Sequence, residues 1–417
     1  MVKIGIVGLG TVGTSVVKVL QKNRDIITSR AGKEIMPVRA VVKNLNKKRD
    51  VDIELTDDYK KVTRDSEIDI VVELMGGVEE AYKVVSDALK HGKAVVTANK
   101  ALLAYHRFEL QKLAKTPFEY EASVAGGIPV IKALRDGLSA NHIEEIQGII
   151  NGTCNYILSE MKKGRDYSDV LKEAQVLGYA EADPTFDVGG FDAAHKLLIL
   201  ASIAYNIDAK PEDILIEGIE NINLVDIEFA KEFGYEIKLL GIAKKDNNKI
   251  ELRVHPTLIP QSKMIAKVEG VMNAVSVIGD VVGETMYYGP GAGGDATASA
   301  VISDIIEIAR GQNKPMLGYK KPLEIEKLTL KTPDEIETKY YLRIAVNDEI
   351  GVLEKIAHIL AKNDISIESF LQKPRDGFVK LLFATHKSIE KNVKNAIKEI
   401  EKEKFVIKPI NYIRIEE

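Results

Sequence analysis

The sequence has 417 residues, 45% of them hydrophobic, and a formal net charge of −4 from 58 Lys and Arg against 62 Asp and Glu. That length predicts two or three domains with full cores, and the near-neutral balance excludes a general electrostatic pull toward nucleic acid or an anionic membrane. A single cysteine, Cys154, excludes an intrachain disulfide framework and a cysteine-based zinc site, and no apolar run reaches the roughly 18 residues of a membrane span.

The opening MVKIGIVGLG enters a strand at once, which predicts no signal peptide and a cytoplasmic address. Residues 2–7 (VKIGIV) are that strand, and SVVKVL beyond the glycines has helical spacing. Further strands are predicted at 38–42 (VRAVV), 68–74 (IDIVVEL), 93–98 (KAVVTA) and 118–124 (FEYEASV), with the helical EEAYKVVSDALKHG among them. Alternating strands and helices predict a parallel sheet covered on both faces.

Between the first strand and helix, Gly8-Leu9-Gly10-Thr11-Val12-Gly13 fits GxGxxG in the strand-turn-helix setting that gives the pattern meaning. Gly8 permits the tight turn, Gly10 lets a pyrophosphate approach the backbone, and Gly13 lets helix and strand pack closely. The helix N-terminus adds free N–H groups and partial positive charge. This predicts a dinucleotide-binding Rossmann domain. After the second strand comes Val42-Lys43-Asn44-Leu45-Asn46-Lys47-Lys48-Arg49, with no acid before Asp50. An acid would bind a ribose 2′-OH. Cations suit a 2′-phosphate, at about 1.5–3 kcal/mol for each charge-assisted contact. NADP(H) is therefore expected over NAD(H), with Lys43 and Arg49 as contacts, although such a run also reads as a solvated surface loop.

From about 140 to 290 strand-like and helix-like pieces mix, which predicts an α+β domain. Within it AEADPTFDVGGFDAAHK, residues 180–196, sets Glu181, Asp183, Asp187 and Asp192 before one lysine. Asp192 and Lys196 are i and i+4 on an expected helix and share a face. The apolar run after Lys196 marks the segment as buried rather than a solvated acidic loop. Asp183 and Asp187 suit turn capping. GPGAGGDATASAVISDIIEIARG then reads as a glycine loop opening a helix, and KPLEIEKLTLKTPDEIE as a linker.

Here the chain resembles the homoserine dehydrogenases. The resemblance runs through Ala174, Gly178, Asp183-Pro184, Asp187, Gly190, Asp192 and Lys196, with Ala98-Asn99-Lys100, Glu121 to Pro129 and Asn151-Gly152-Thr153, and covers roughly residues 1–320. It implies reversible oxidation of L-homoserine to L-aspartate 4-semialdehyde with NAD(P), in threonine, methionine and isoleucine biosynthesis. Lys196, Asp192 and Lys100 would be catalytic. Glu181 and Asp187, with Lys196 and Asp192, would bind substrate. Gly8, Gly10, Thr11, Val12, Gly13, Met75, Lys100 and Gly291 would bind cofactor. A sodium ion would be held by Glu121 and the carbonyls of Val124, Gly126 and Ile128, although the residues alone read as a plain turn. The family members are usually homodimers or larger, and a homotetramer is equally open here.

Alcohol oxidation needs a base for the hydroxyl proton. An amine base must act well below its usual pKa of about 10.4, and about 3 units cost about 4 kcal/mol. Burial or a second cation must supply that, and Lys100 is the candidate. Oxidation is expected to favour alkaline pH, and aldehyde reduction to run near neutrality.

Residues 339–414 predict the order βαββαβ of a ferredoxin-like fold. VNDEIGVLEKIAHILAKNDISIES (346–369) resembles an ACT domain, which implies an amino-acid effector, L-threonine in this family, near Asn347, Asp348, Gly351, Val352 and Leu353. A module that only dimerises is the alternative. The expected architecture is thus α/β: residues 1–135 form a Rossmann domain completed by about 295–318, 136–294 an α+β substrate and dimerisation domain, 319–337 a linker, and 338–417 an ACT domain. A nucleotide- and amino-acid-binding sensor without turnover, and another amino-acid dehydrogenase on the same scaffold, are the competing readings.

Overall fold

The computed structural model describes residues 1–321, 328–375 and 378–417, so 322–327 of the expected linker lie outside the described residues. The chain forms two compact units. One comprises Met1–Gly152, Asp192–Glu212 and Val271–Leu328, the other Thr153–Phe191, Asp213–Gly270 and Thr329–Glu417.

The first unit is built on six strands: β1 (Val2–Val7), β2 (Ile35–Val41), β3 (Glu54–Thr56), β4 (Ile70–Glu73), β5 (Ala94–Thr97) and β6 (Phe118–Glu119). Their order is β3-β2-β1-β4-β5-β6, and every pairing is parallel. β4 and β5 are buried along their whole length, as helices on both faces of a parallel sheet require. The order reverses between β1 and β4, the switch point at which such sheets bind ligands beyond their carboxyl ends. Helix Gly294–Ala309 joins this core, where Ala298, Val301 and Ile305 cluster with Ile4, Ile6, Val16 and Val17. Strands Ile143–Ile149, Met272–Gly279 and Gly283–Pro290 make a separate antiparallel set in the same unit.

The expected strand over 118–124 needs correction. It stops at Glu119, and Glu121–Ser123 is a 3-10 turn. The Glu121 N–H donates to Asp304 Oδ2 (2.8 Å), and its carboxylate accepts the N–H groups of Ile131 and Lys132. Those bonds divert the segment from the ladder. β2 begins earlier than expected, and β3 and helix Arg24–Ala31 were not visible as patterns.

In the second unit, Tyr235–Asp246 and Lys249–Pro260 pair as a long hairpin closed at Asn247, where φ is +53°. The C-terminal module has the order βαββαβ, with helices Val352–Lys362 and Glu390–Ile400 packed on its sheet through Ile356, Leu360, Val393 and Ile397. Its last strand, Val406–Ile415, pairs antiparallel with Glu337–Val346 and also runs parallel to the hairpin at Thr257↔Arg414 and Leu258↔Ile415. Ion pairs follow this seam. The buried Arg414 donates to Glu217 (2.7 and 2.9 Å) and Glu390 (2.6 Å), and Asp226 accepts from Tyr341 (2.9 Å) and Arg343 (2.7 Å). Among the described residues no helix is long and apolar enough to cross a membrane.

Candidate active site

The glycine loop leaves β1 at Gly8, whose φ of +103° and contact with the Leu74 backbone leave no room for a side chain. A Cβ on Gly13 would lie 2.3 Å from the Gly8 carbonyl oxygen, whereas one on Gly10 would meet nothing within 4 Å. The packing glycine is therefore closed in, and the phosphate-facing glycine opens to space. Thr11 begins helix Thr11–Lys22. Gly8 and Gly10 line a cavity of about 480 Å³ together with Lys43, Lys47, Arg49 and Met75. Concave space, a free helix N-terminus and cations fit the phosphates of a nicotinamide dinucleotide. Arg49 also folds back on its own loop, donating to the carbonyls of Asn44 (3.0 Å) and Lys47 (2.8 Å).

A second cavity, about 270 Å³, shares Leu74 and Met75 with the first and is lined by Val12, Lys100, Gly126, Lys196 and Gly291. Two lysines thus face the space next to the glycine-loop helix. Lys100 opens helix Lys100–Leu113, and Lys196 lies in the second turn of Phe191–Tyr205. Between them sits Asp192, only 3% exposed. Its Oδ1 is 2.9 Å from Lys100 Nζ, and its Oδ2 is 2.7 Å from Lys196 Nζ. Asn151 Nδ2 donates to Oδ2 (2.9 Å), and Lys196 also donates to the Ile150 carbonyl (2.7 Å). Burial pushes the Asp192 carboxyl up, but Lys196 and Lys100 overcome that and hold it well below the usual range. Asp192 is therefore a fixed anion that aims two ammonium groups.

The homoserine dehydrogenase family model matches residues 129–306, its NAD-binding domain 8–117, and an ACT domain 340–405. The homoserine dehydrogenase of Helicobacter pylori is 58% identical over 417 residues, covering 99% of this chain and 98% of its own. The chain belongs to the homoserine dehydrogenase family. The crystal structure of a homoserine dehydrogenase from Thiobacillus denitrificans matches with a TM-score of 0.94 at 48% identity, covering 100% of this chain and 98% of that one. A hyperthermophilic archaeal homoserine dehydrogenase in complex with NADPH gives a TM-score of 0.65 at 27% identity, covering 75% of this chain and 99% of its own. The Rossmann domain, the mixed middle portion and the C-terminal ACT domain are those of this family.

Against this family pattern, Lys100, Lys196, Val12, Met75 and Gly291 line one cavity, Asp192 pairs with its two lysines, and Gly8, Gly10, Lys43 and Arg49 line the adjoining one. Glu181 and Asp187 lie on segment 153–191 of the other unit. Asp183 caps its turn as its residue type suggests, accepting from the N–H (3.1 Å) and hydroxyl (2.7 Å) of Thr185. Cys154 is buried, and its thiol donates to the Asp187 carbonyl (3.2 Å).

Glu121 is buried, and that burial pushes its carboxyl up to about 7 despite the Lys132 and Ile131 N–H groups. Ala125 and Gly126 both have positive φ, so the chain turns sharply after Val124. A Cβ on Gly126 would lie 2.6 Å from the Gly291 carbonyl oxygen, so this turn abuts the second glycine loop. The nearby Glu119, Asp304 and Glu307 could converge on an ion, but Arg135 pairs with Glu119 and Lys132 with the other two.

In the ACT domain Gly351 (φ +87°) makes the strand-to-helix turn. Asn347, Asp348 and Leu353 are exposed, whereas the Val352 side chain belongs to the core, so its backbone alone can face a ligand. Sequence reasoning did not single out the Ile150 carbonyl, or Asn151 and Asn99 as individual contacts. It also overlooked Glu73, whose only signal is a carboxylate ending an otherwise apolar strand.

Proposed function

We propose that this chain interconverts L-homoserine and L-aspartate 4-semialdehyde with NADP(H). The observation that carries the reading is Lys196 and Lys100 sharing one cavity with Val12 of the glycine-loop helix. A bound nicotinamide, held at the glycine loop by Gly8 and Gly10, would supply the hydride chemistry of the reaction. Lys196 holds the substrate oxygen, giving it a proton in reduction and taking the hydroxyl proton in oxidation. Asp192 fixes Lys196 and Lys100, and Lys100 stands between cofactor and substrate. Lys43, Lys47 and Arg49 lining the cavity support a 2′-phosphate, as does the NADPH held by the archaeal relative.

In the same reading Glu121 and the carbonyls of Val124, Gly126 and Ile128 hold sodium, a hard ion that suits oxygen donors. The sharp turn and the buried carboxylate support that choice. The ACT domain takes an amino-acid effector, L-threonine, at 347–353. A homodimer or larger assembly is supported by exposed Val281, Val282 and Tyr288 on one hairpin. Spectrophotometric reduction of aspartate semialdehyde, with NADPH and then NADH, tests the core of the proposal. Oxidation of either nucleotide without dependence on the semialdehyde would end it.

A further inference from the structure

Asn99 stands at the junction of β5 and helix Lys100–Leu113, only 8% exposed, and its side-chain amide is engaged at both ends. Oδ1 accepts the Leu102 N–H (3.0 Å) and caps the helix. Nδ2 donates to the carbonyls of Gly77 (2.8 Å) and Met75 (3.3 Å), on the loop that leaves β4. A second chain of bonds closes the ring. The Asn99 N–H donates to Thr97 Oγ1 (3.0 Å), Thr97 donates to Glu73 (2.5 Å), and Glu73 accepts the Met75 N–H (2.9 Å). Met75 is thus held through its N–H by Glu73 and through its carbonyl by Asn99. It lines both cavities, and Lys100, next to Asn99, reaches Asp192.

We propose that Asn99 is a positioning residue that sets, through one amide, both the Met75 wall of the cofactor cleft and the aim of Lys100 at Asp192. This rests on the oxidoreductase reading above. Only a side chain that is acceptor at one end and donor at the other can do both. Aspartate has no donor for the two carbonyls, and serine can cap the helix but is too short to span to the loop. The two halves of the role are therefore separable by substitution.

The test compares the wild type with Asn99→Ser and Asn99→Ala. NADPH affinity is read by fluorescence titration without turnover, kcat by semialdehyde reduction, and folding by thermal melting. Asn99→Ser keeps a cap, so kcat should stay within about threefold of wild type while NADPH binds about tenfold more weakly. Asn99→Ala should weaken NADPH equally and lower kcat by about a further tenfold, because Lys100 loses its fixed approach. Equal kcat loss in both variants, or NADPH affinity unchanged in both, overturns the proposal. A wild type without turnover would sink the catalytic reading instead, and the titration would still decide the Met75 half.

Discussion

Lys100 Nζ lies 2.9 Å from Asp192 Oδ1, while Lys196 occupies the other oxygen of the same carboxylate. One anion thus meets two cations at the edge of a cavity, and a substrate oxygen entering there encounters ammonium groups already aimed. The arrangement makes Lys196 the group whose loss should stop chemistry without emptying the cofactor cleft.

Lys196→Ala should lower kcat by about 10²–10⁴-fold, the range for removing a positioned proton donor or acceptor. NADPH affinity, measured by fluorescence, should stay near the wild-type value. Loss of affinity in step with loss of turnover would mean that Lys196 serves the cleft rather than the reaction.

Asp192→Asn should leave two lysines facing each other across a neutral amide. Breaking a buried charge set by removing one partner costs about 3–5 kcal/mol, and the partial exposure of Lys100 puts the effect at the lower end. The sign with pH follows from the depressed carboxyl. Its contribution is full above the ordinary value of 3.8 and fades as acid carries the pH down through the folded-state value. Thermal melts should therefore show a constant deficit from pH 7 down to about pH 4, and a deficit that shrinks only below the ordinary value of 3.8.

Glu73 should behave in the opposite sense. Burial pushes its carboxyl up from 4.5 to about 7, against the bonds from Thr97, Met75 and Asn99. Its contribution to stability is full below pH 4.5 and is lost as pH rises through about 7. Glu73→Gln should raise the melting temperature at pH 8, by at most about 3 kcal/mol in free-energy terms, and give no gain at pH 4.5. A gain independent of pH would point to packing instead.

Lys43→Ala combined with Arg49→Ala should raise KM for NADPH by about 10–100-fold while moving KM for NADH by less than about threefold. Steady-state kinetics with both nucleotides checks it. Equal effects on the two would return the basic run to the status of a solvated loop.

L-Threonine should bind with measurable heat in calorimetry and change turnover. Asp348→Ala should weaken that binding by about tenfold or more, the loss of one charge-assisted bond. Binding heat without any change in activity or assembly would leave the module an amino-acid sensor uncoupled from catalysis.

Much of this site was legible because its elements are local. The glycine loop lies between a strand and a helix adjacent in sequence. Asp192 and Lys196 are one helical turn apart, so their pairing follows from spacing alone. What sequence could not show depends on distant partners. β6 is cut short because Asp304 captures the Glu121 N–H. The Asn99 tether needs β4 and β5 to be neighbours before Gly77 comes within reach. Arg414 looks like any cation in an amphipathic strand until Glu217 and Glu390 arrive from elsewhere in the unit.

The double allegiance of strand Val406–Ile415 has a practical side. Trimming the chain before Glu337 would strip the Lys249–Pro260 strand of its neighbour at Thr257 and Leu258, leaving unpaired backbone groups on a raw margin. It would also leave Glu217 and Asp226 without the cations that neutralise them. A shortened protein should therefore be sticky and poorly soluble rather than merely deregulated, and the C-terminal module is better treated as a wall of the molecule than as an accessory hung upon it.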